Sequence, residues 1–255
     1  MRQRWDDLFF FHWRVDPAEV QRRLPRGLTV DCFDGATYLG VVGFKMNAVR
    51  PVGLPPLPWL SYFNELNVRV YVRDAAGEPG VFFFSLDCDR WPAVKIGRAQ
   101  FALNYQHAQM SHQAQGVGFT LDCRRAGETT TACYAWQPLG TPTTASPGTL
   151  EFFVAERYNF FTEKNGRLLR GQVHHTPYTL QTAKVLAWSE APVAWDNVPT
   201  TQRPPDLAHA SAGVSIEAFG LVPAHAYATH RLPPCRLGLE RHVARRYVAL
   251  LRIAQ

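Results

Sequence analysis

Polar side chains of four chemical types alternate with apolar ones between residues 63 and 73, where the sequence reads FNELNVRVYVR. The polar set is Glu65, Asn67, Arg69 and Tyr71. Residues two positions apart on a strand share one face and lie about 7 Å apart. A carboxylate, an amide, a guanidinium and a phenol on one face can therefore converge on one small ligand. The same alternation also fits a strand with one face in solvent, so the pattern alone leaves both interpretations open.

A ligand site on this strand sets a condition on both of its faces. The apolar residues between the polar ones must pack against other elements, and we expect Glu65, Asn67 and Arg69 to point inward, opposite to them. A buried charge without a partner is strongly unfavourable. Glu65 and Arg69 could satisfy each other as a bidentate ion pair, which would meet this condition.

Other residues with metal-binding or catalytic chemistry form weaker patterns. His174 and His175 are adjacent, so on a strand they point to opposite faces and cannot easily bind one metal ion. Asp87 and Asp89 share one face of a strand end, which fits either a divalent cation or a charged turn. The sequence lacks GxGxxG after a strand, GxxxxGK[ST] and GxSxG, which argues against nucleotide-binding and α/β-hydrolase enzymes. We predict no bound metal ion and no cofactor.

Strand-like segments dominate the chain and must position the polar set. Residues 117–123 and 129–136 are typical of a hairpin. Asp16, which is followed by proline, begins a short helix, and residues 97–110 and 182–189 are further candidate helices. Because no linker or repeat divides the chain, we predict one α+β domain with a large, mostly antiparallel sheet or barrel and a few helices.

The composition is that of a globular protein with a sizeable core, since 46% of the 255 residues are hydrophobic and 19% are charged. The formal net charge is +6, which can attract nucleic acid. The arginines are scattered, however, except toward the end, where we predict a basic helical tail over residues 230–255. Zinc-finger spacings and an RNA-binding aromatic signature are absent from the sequence, so we predict no nucleic-acid partner.

Targeting signals are missing from the sequence as well. No run of about 18 uncharged apolar residues could form a transmembrane helix. Asp6 and Asp7 interrupt the apolar patch near the first residue, so we expect no signal peptide. The five cysteines form no CxxC pair, and we interpret them as reduced thiols. These features predict a cytoplasmic protein without a membrane partner, and they leave a homo-oligomer open.

Several segments together resemble the YqjF-like family of bacterial proteins, which belongs to the acetoacetate decarboxylase-like superfamily. The matching segments are WxxLFFxHWRV at residues 5–15, LPxGL at 24–28, GLPPLPWL at 53–60, FNELNVRxYV at 63–72, GVFFFSLD at 80–87, GRxxxxLxYxxAxM at 97–110 and ERY at 156–158. The resemblance implies a double barrel or cone that encloses a pocket, with residues 1–255 as one such domain.

The resemblance also implies where pocket residues lie. In acetoacetate decarboxylase, a lysine forms a Schiff base with a keto acid, and its segment is similar to GRExxGFPKK. On this sequence, the arginine of that segment falls on Arg98, and the two lysines fall on Tyr105 and Gln106. A phenol and an amide cannot form an imine, so the decarboxylation mechanism does not transfer. Glu65 falls on a pocket glutamate of the superfamily.

Two functions fit these residues. The first is a non-catalytic protein that binds a small organic ligand, with Asn67, Arg69 and Arg98 as ligand-binding residues. The second is a lyase, isomerase or hydrolase that acts on a small organic acid, with Glu65 as general acid or base and Tyr105 as proton donor. Two guanidiniums near one pocket favour a carboxylate ligand, whereas arginines paired with carboxylates would leave the pocket neutral. We favour the binding protein.

Overall fold

Apolar residues at alternate positions form long strands, which make up most of residues 1–225, the part of the chain that the computed structural model describes. The first strands are β1 (Arg2–Val15), β2 (Thr29–Val30), β3 (Thr37–Arg50), β4 (Phe63–Arg73), β5 (Pro79–Cys88), β6 (Tyr105–Gln115) and β7 (Gly118–Arg125). They are followed by β8 (Ala132–Thr144), β9 (Asn159–Lys164), β10 (Arg167–His175), β11 (Thr179–Ala187), β12 (Leu207–Ala218) and β13 (Val222–Pro223). The helices are α1 (Pro17–Gln21), α2 (Trp91–Phe101), α3 (Leu150–Ala155) and α4 (Ala191–Trp195).

The strands pair into one sheet that closes on itself twice. The first ring runs through β5, β6, β7, β8, β11, β12, β1, β3 and β4, and the pairing of β4 with β5 closes it. The second ring runs through β5, β9, β10, β12, β1, β3 and β4, and the pairing of β10 with β12 closes it. Only β6 and β9 pair with β5 in parallel among the described strands. The predicted mostly antiparallel double barrel with a few helices is confirmed.

The strands common to both rings form a wall with a different environment on each face. Leu66, Val68, Val70 and Val72 of β4 belong to the core of the first ring. Glu65, Asn67 and Arg69, which alternate with them, line a cavity inside the second ring. All three side chains point inward, as the sequence predicts.

Aromatic side chains fill the first ring. Phe9 on β1 lies 4.7 Å from Phe11, 4.9 Å from Tyr134 and 4.8 Å from Trp136 between ring centroids. Gly43 on β3 leaves space for this cluster, since a Cβ atom there would lie 2.4 Å from a ring carbon of Phe9. Because side chains occupy the first ring, the second ring is the compartment that can hold a ligand.

Local sequence signals identify some elements correctly. Helix α1 begins after Asp16, whose carboxylate accepts a hydrogen bond from the Ala18 amide at 2.8 Å. The predicted hairpin corresponds to β7 and β8, which pair antiparallel. These elements depend on turn and capping residues that act over a few positions, so the sequence predicts them well.

Both longer helix predictions need correction. In the segment 97–110, helix α2 ends at Phe101, Ala102 adopts a left-handed backbone conformation, and β6 begins at Tyr105. The segment 182–189 is wrong as a helix, because most of it lies in β11, between β8 and β12. Pairing on both sides of this strand overrides the helix propensity of its alanine, lysine and leucine residues.

Four further predictions concern the ends, the domain organisation and the environment of the chain. The basic tail over residues 230–255 lies outside the described residues, so it stays a prediction, as does the single domain over 1–255. Cys88, Cys123 and Cys133 are free thiols, but Cys32 is disulfide-bonded, which contradicts the interpretation of all five cysteines as reduced. Within residues 1–225, every helix is too short or too polar to cross a membrane.

Candidate functional site

A cavity of about 480 Å³ occupies the second ring. Strands of that ring, helix α2 and the segment 51–61 form its walls. Most of the lining side chains are apolar. The polar and charged lining residues, besides Trp5, are Gln3, Arg50, Ser61, Glu65, Asn67, Arg69, Gln100 and Tyr105. Cavities of this size, with apolar walls and a few polar groups, are typical of sites for small organic molecules.

Glu65 and Tyr105 form a buried hydrogen-bonded pair in this cavity. The Tyr105 hydroxyl donates to Oε2 of Glu65 at 2.7 Å. Tyr105 begins β6, and helix α2 packs onto its ring through Gly97, where a Cβ atom would lie 2.4 Å from a ring carbon. The glycine therefore lets the helix approach closely enough to hold the ring in place. The structure brings together the two residues that the sequence predicts as acid–base groups.

Burial raises the pKa of the Glu65 carboxyl from 4.5 to about 7, because the charged form loses its water. Hydrogen bonds from Tyr105 and Asn67 act in the opposite direction, and the charge of Asp87 adds to the rise. A carboxyl group with a pKa near 7 can hold or release a proton at neutral pH. Burial and the Glu65 charge raise the pKa of Tyr105 well above its usual value, so the phenol stays a donor.

Arg69 brings a guanidinium to the cavity without a carboxylate partner among residues 1–225. Its Nη2 donates to the main-chain oxygen of Val154 at 3.1 Å. The guanidinium lies over the rings of Phe10 and Tyr71, 5.6 and 5.8 Å from their centroids. Its Nε atom is buried and lacks a hydrogen-bond partner within the described chain. Arg69 therefore has both charge and a donor to offer to a ligand.

The possible ion pair between Glu65 and Arg69 is not formed. Glu65 is hydrogen-bonded by neutral groups, the Tyr105 hydroxyl and the Asn67 amide, whereas Arg69 donates to the main chain. The reason is the strand itself, since residues four positions apart are separated by about 13 Å along β4. Asn67 lies between them, and its Oδ1 is buried without a hydrogen-bond partner in the described chain.

Tyr71 continues the polar face of β4 but does not line the cavity. Its hydroxyl donates to the main-chain oxygen of Val154 at 2.6 Å and lies 2.7 Å from Nε2 of His12. Burial holds the pKa of His12 well below its usual value, so this imidazole is neutral. The Tyr71 hydroxyl thus positions α3, which carries Val154, against the end of the cavity where Arg69 lies.

Arg98 does not line the cavity, whereas Arg50 does. The exposed side chain of Arg98 donates from Nε to the main-chain oxygen of Tyr105 at 2.7 Å, so it joins α2 to β6 outside the cavity. Arg50, at the end of β3, lines the cavity and donates to the main-chain oxygen of Ala48 at 2.8 Å. Sequence reasoning missed Arg50 because it stands in a segment without regular alternation.

Lysine is missing from the cavity wall. The chain has four lysines, all within the described residues, and none of them lines the cavity. Lys45 pairs with Asp7 at 2.8 Å, and the Lys95 ammonium lies 4.0 Å from the centroid of the Trp91 ring. Gln106 hydrogen-bonds Asn104 and Arg98 outside the cavity. A lysine amine for imine formation is therefore not available in this wall.

The weaker metal-binding patterns have other roles. Asp87 is buried and forms an ion pair with Arg125 at 2.7 Å. Asp89 accepts hydrogen bonds from the main-chain and side-chain nitrogens of Asn64, at 2.9 and 2.7 Å. His175 is buried and His174 is exposed, as expected for opposite faces of a strand. Among residues 1–225, no three histidine, cysteine or acidic residues are grouped so that they could hold a metal ion.

Comparison with known sequences identifies the family. The model of the DUF2071 family, described as "Uncharacterized conserved protein (COG2071)", matches residues 2–215. The chain belongs to this family. It is 34% identical to YqjF of Bacillus subtilis (strain 168) over 185 residues, which span 72% of this chain and 76% of that protein. The resemblance to YqjF-like proteins is confirmed.

Solved structures show the same fold at low sequence identity. Acetoacetate decarboxylase from Legionella pneumophila subsp. pneumophila str. Philadelphia 1 is 14% identical, with a TM-score of 0.58 over 88% of both chains. The enduracididine biosynthesis enzyme MppR, complexed with pyruvate, is 12% identical, with a TM-score of 0.59 over 87% of this chain and 89% of that one. These likenesses place the DUF2071 chain in the acetoacetate decarboxylase-like fold.

We predict that the protein forms no imine with keto acids, because Tyr105 and Gln106 stand where the sequence alignment places the decarboxylase lysines. Treatment with sodium borohydride in the presence of acetoacetate or pyruvate should leave the mass of the intact protein unchanged in a mass spectrum. An acetoacetate decarboxylase treated in parallel should gain mass and serves as the positive control. A mass increase that maps to Lys95, the lysine nearest in sequence, would contradict this prediction.

Proposed function

We propose that the cavity of the second ring binds a small organic acid and that Arg69 holds its carboxylate. The observation that carries this proposal is the state of Arg69. Its guanidinium faces the cavity, is almost fully buried, lacks a carboxylate partner in the described chain and keeps one N–H unsatisfied. Burial of a charge without a partner is costly. A carboxylate in the cavity would supply the missing charge and accept the free hydrogen bond.

The other polar groups of the cavity favour the same class of ligand. Because burial raises its pKa to about 7, Glu65 carries less negative charge at neutral pH than an ordinary glutamate and repels an anion less. The unpartnered Oδ1 of Asn67 lies two positions from Arg69 and could accept a hydrogen bond from a hydroxyl or amine of the ligand. In the same fold, MppR has been solved with pyruvate, which supports a carboxylate in such a cavity.

We expect octanoate to stabilise the protein against heat and octanamide, its neutral analogue, to do so much less. At 100 times its dissociation constant, a ligand raises the free energy of unfolding by roughly 2.7 kcal/mol, which a melting curve detects. Arg69→Gln should weaken octanoate binding by about 10- to 100-fold, because a hydrogen bond to a charged group contributes about 1.5–3 kcal/mol. Isothermal titration calorimetry would measure both affinities.

Arg50→Gln is the matched control for this substitution, because Arg50 lines the same cavity but is only half buried. It should leave octanoate binding within about threefold of the wild type. Equal stabilisation by the acid and the amide, or equal losses in both arginine variants, would remove Arg69 as the carboxylate site. If Arg69→Gln does not fold, the comparison of acid with amide on the wild-type protein still decides whether the cavity prefers a carboxylate, and equal stabilisation by the two would contradict the proposal.

A second function is favoured by the contact of Glu65 with Tyr105. A carboxyl group with a pKa of about 7 that is hydrogen-bonded to a phenol can exchange a proton with a bound substrate. This arrangement fits a lyase, isomerase or hydrolase that acts on an organic acid without an imine. Turnover of an organic acid by the wild type that is lost in Glu65→Gln would favour the enzyme, whereas binding without turnover would favour the binding protein.

A further inference from the structure

We infer that the ligand is an elongated amphiphilic acid, whose carboxylate lies at Arg69 and whose apolar chain extends along β4 toward the segment 51–61. This inference rests on the proposed binding function and specifies its ligand class. It follows from the size of the cavity, the order of residues along its length and the position of its opening.

The cavity is too large for a keto acid of the size of pyruvate. One water molecule takes about 30 Å³ of liquid volume, so a cavity of about 480 Å³ holds roughly 16 groups of that size. Pyruvate would fill about a third of it. An acid with about ten to fifteen non-hydrogen atoms would fill it, and the apolar lining indicates that most of those atoms are carbon.

The cavity is long as well as large, because its lining residues follow β4 from Phe63 to Arg69. With a rise of about 3.3 Å per residue, these two positions are about 20 Å apart. Glu65 lies between them, but its hydrogen bond to Tyr105 satisfies it, and its raised pKa leaves it half neutral. Because Glu65 is already buried and hydrogen-bonded without a ligand, an apolar chain that passes this pair removes little further water from it.

The exposed lining residues mark the opening of the cavity, and many of them lie in the segment 51–61, next to the Phe63 end of β4. Among the lining residues, the exposed ones stand on the segment 51–61 and on α2, and they include Leu54, Leu57 and Ile96. Trp59 and Val52, on the same segment, are exposed too. Apolar side chains at a cavity opening would cover the far end of a chain that reaches the surface.

The direction of the ligand follows from the two arginines of the wall. Arg69 is 7% exposed and has an unsatisfied Nε atom. Arg50 is half-buried near the exposed segment and already donates to the Ala48 carbonyl. A buried, unsatisfied guanidinium gains more from a carboxylate than one that solvent can reach. The charged end of the ligand therefore lies deep in the cavity, and its chain leads outward.

The test is the affinity of saturated carboxylates from butanoate to tetradecanoate, measured by calorimetry below their micelle concentrations. Each added methylene should tighten binding by about fourfold, because it buries more apolar surface. The gain should stop at about ten to twelve carbons, where the chain reaches solvent. Affinity that does not rise beyond butanoate would overturn the inference while leaving Arg69 as a carboxylate site.

Ala93→Phe provides a second test, because Ala93 lines the cavity from α2 and a phenyl ring there would shorten the space for the chain. Binding of decanoate should weaken by at least tenfold, whereas binding of butanoate should not change. Ala99→Phe is the matched control, since Ala99 is exposed on the same helix and does not line the cavity. Equal effects of the two variants on decanoate would contradict the proposed path of the chain.

The two levels of the proposal fail in different ways. If no carboxylate of any length binds, or if Arg69→Gln binds each of them as well as the wild type does, the proposed function is wrong. If short acids bind at Arg69 and longer ones do not bind more tightly, only the elongated ligand is wrong. The series of carboxylates is measured on the wild-type protein. It therefore still tests the proposal if Ala93→Phe does not fold.

Discussion

Replacement of Arg125 by alanine is expected to lower the free energy of unfolding by about 3–5 kcal/mol. Arg125 ends β7, and its guanidinium binds two buried carboxylates. It forms ion pairs with Asp87 at 2.7 Å and with Asp196 at 2.7 Å, and it donates to the Ser85 hydroxyl at 2.6 Å. The Trp195 ring covers it at 5.1 Å.

The size of this effect comes from the groups left behind. Asp87 is fully buried and Asp196 is nearly so, so neither carboxylate can recover water once the guanidinium is gone. Loss of one partner of a buried pair is much more costly than loss of a surface ion pair. The cluster also joins β5, β7 and α4, which lie far apart in the sequence.

Urea denaturation of the wild type and the variant at neutral pH would measure the loss. Arg124→Ala is the matched control, because Arg124 is the preceding residue of the same strand and is exposed. Its substitution should change the free energy of unfolding by less than about 1 kcal/mol. Equal losses for both variants would mean that the buried cluster contributes no special stability.

Glu65→Gln is expected to make the protein more stable above pH 7 and to remove a pH dependence that the wild type shows. The pKa of Glu65 is raised from 4.5 to about 7 in the folded state. The folded protein therefore holds a proton that the unfolded chain releases between these two values. Stability from this group is fully present below pH 4.5 and is lost as the pH rises through 7.

The difference between the two pKa values corresponds to about 3 kcal/mol. Glutamine keeps the oxygen that accepts the hydrogen bond from Tyr105 but carries no charge at any pH. Relative to the wild type, the variant should therefore gain about 3 kcal/mol between pH 4 and pH 9. Because the difference between the two proteins is taken at each pH, the buried histidines that titrate in both cancel.

Chemical denaturation at pH values from 4 to 9 would measure this difference. Glu163→Gln serves as the control, since Glu163 is exposed on β9 and its substitution changes the net charge by the same amount. A Glu65→Gln curve parallel to that of the wild type would mean that the Glu65 carboxylate is charged at neutral pH. That outcome would also remove the support for Glu65 as an acid–base group.

The sequence predicts the polar face of β4 because strand periodicity is a local property. The alternation in FNELNVRVYVR specifies which residues share a face, and Glu65, Asn67 and Arg69 do line the cavity. The contact of Glu65 with Tyr105 could not be derived from spacing, since 40 residues separate them. It depends on helix α2 and on Gly97, which has no side chain and therefore lets the helix pack closely against the Tyr105 ring.

Two sequence-based interpretations fail in the structure, and one residue of the cavity is missed. The Glu65–Arg69 pair fails because neutral side chains satisfy the carboxylate instead. Arg98 matches a family position, but α2 directs its side chain to the main chain of Tyr105 outside the cavity. Arg50 had no signal, because it stands in a segment without regular alternation. The positions of such side chains depend on contacts between strands and helices across the barrel, so local sequence patterns do not predict them.

The wall shared by the two rings restricts which insertions, deletions and substitutions β4 can tolerate. An insertion or deletion of one residue at the start of β4, before Glu65, would exchange the faces of the strand, so that Glu65 and Arg69 would enter the aromatic core and leucine and valine would face the cavity. Such a change would destroy the fold and the site together, whereas substitutions at alternate positions can change the site alone. Homologues that differ in ligand should therefore keep the length of β4 and vary at Glu65, Asn67 and Arg69.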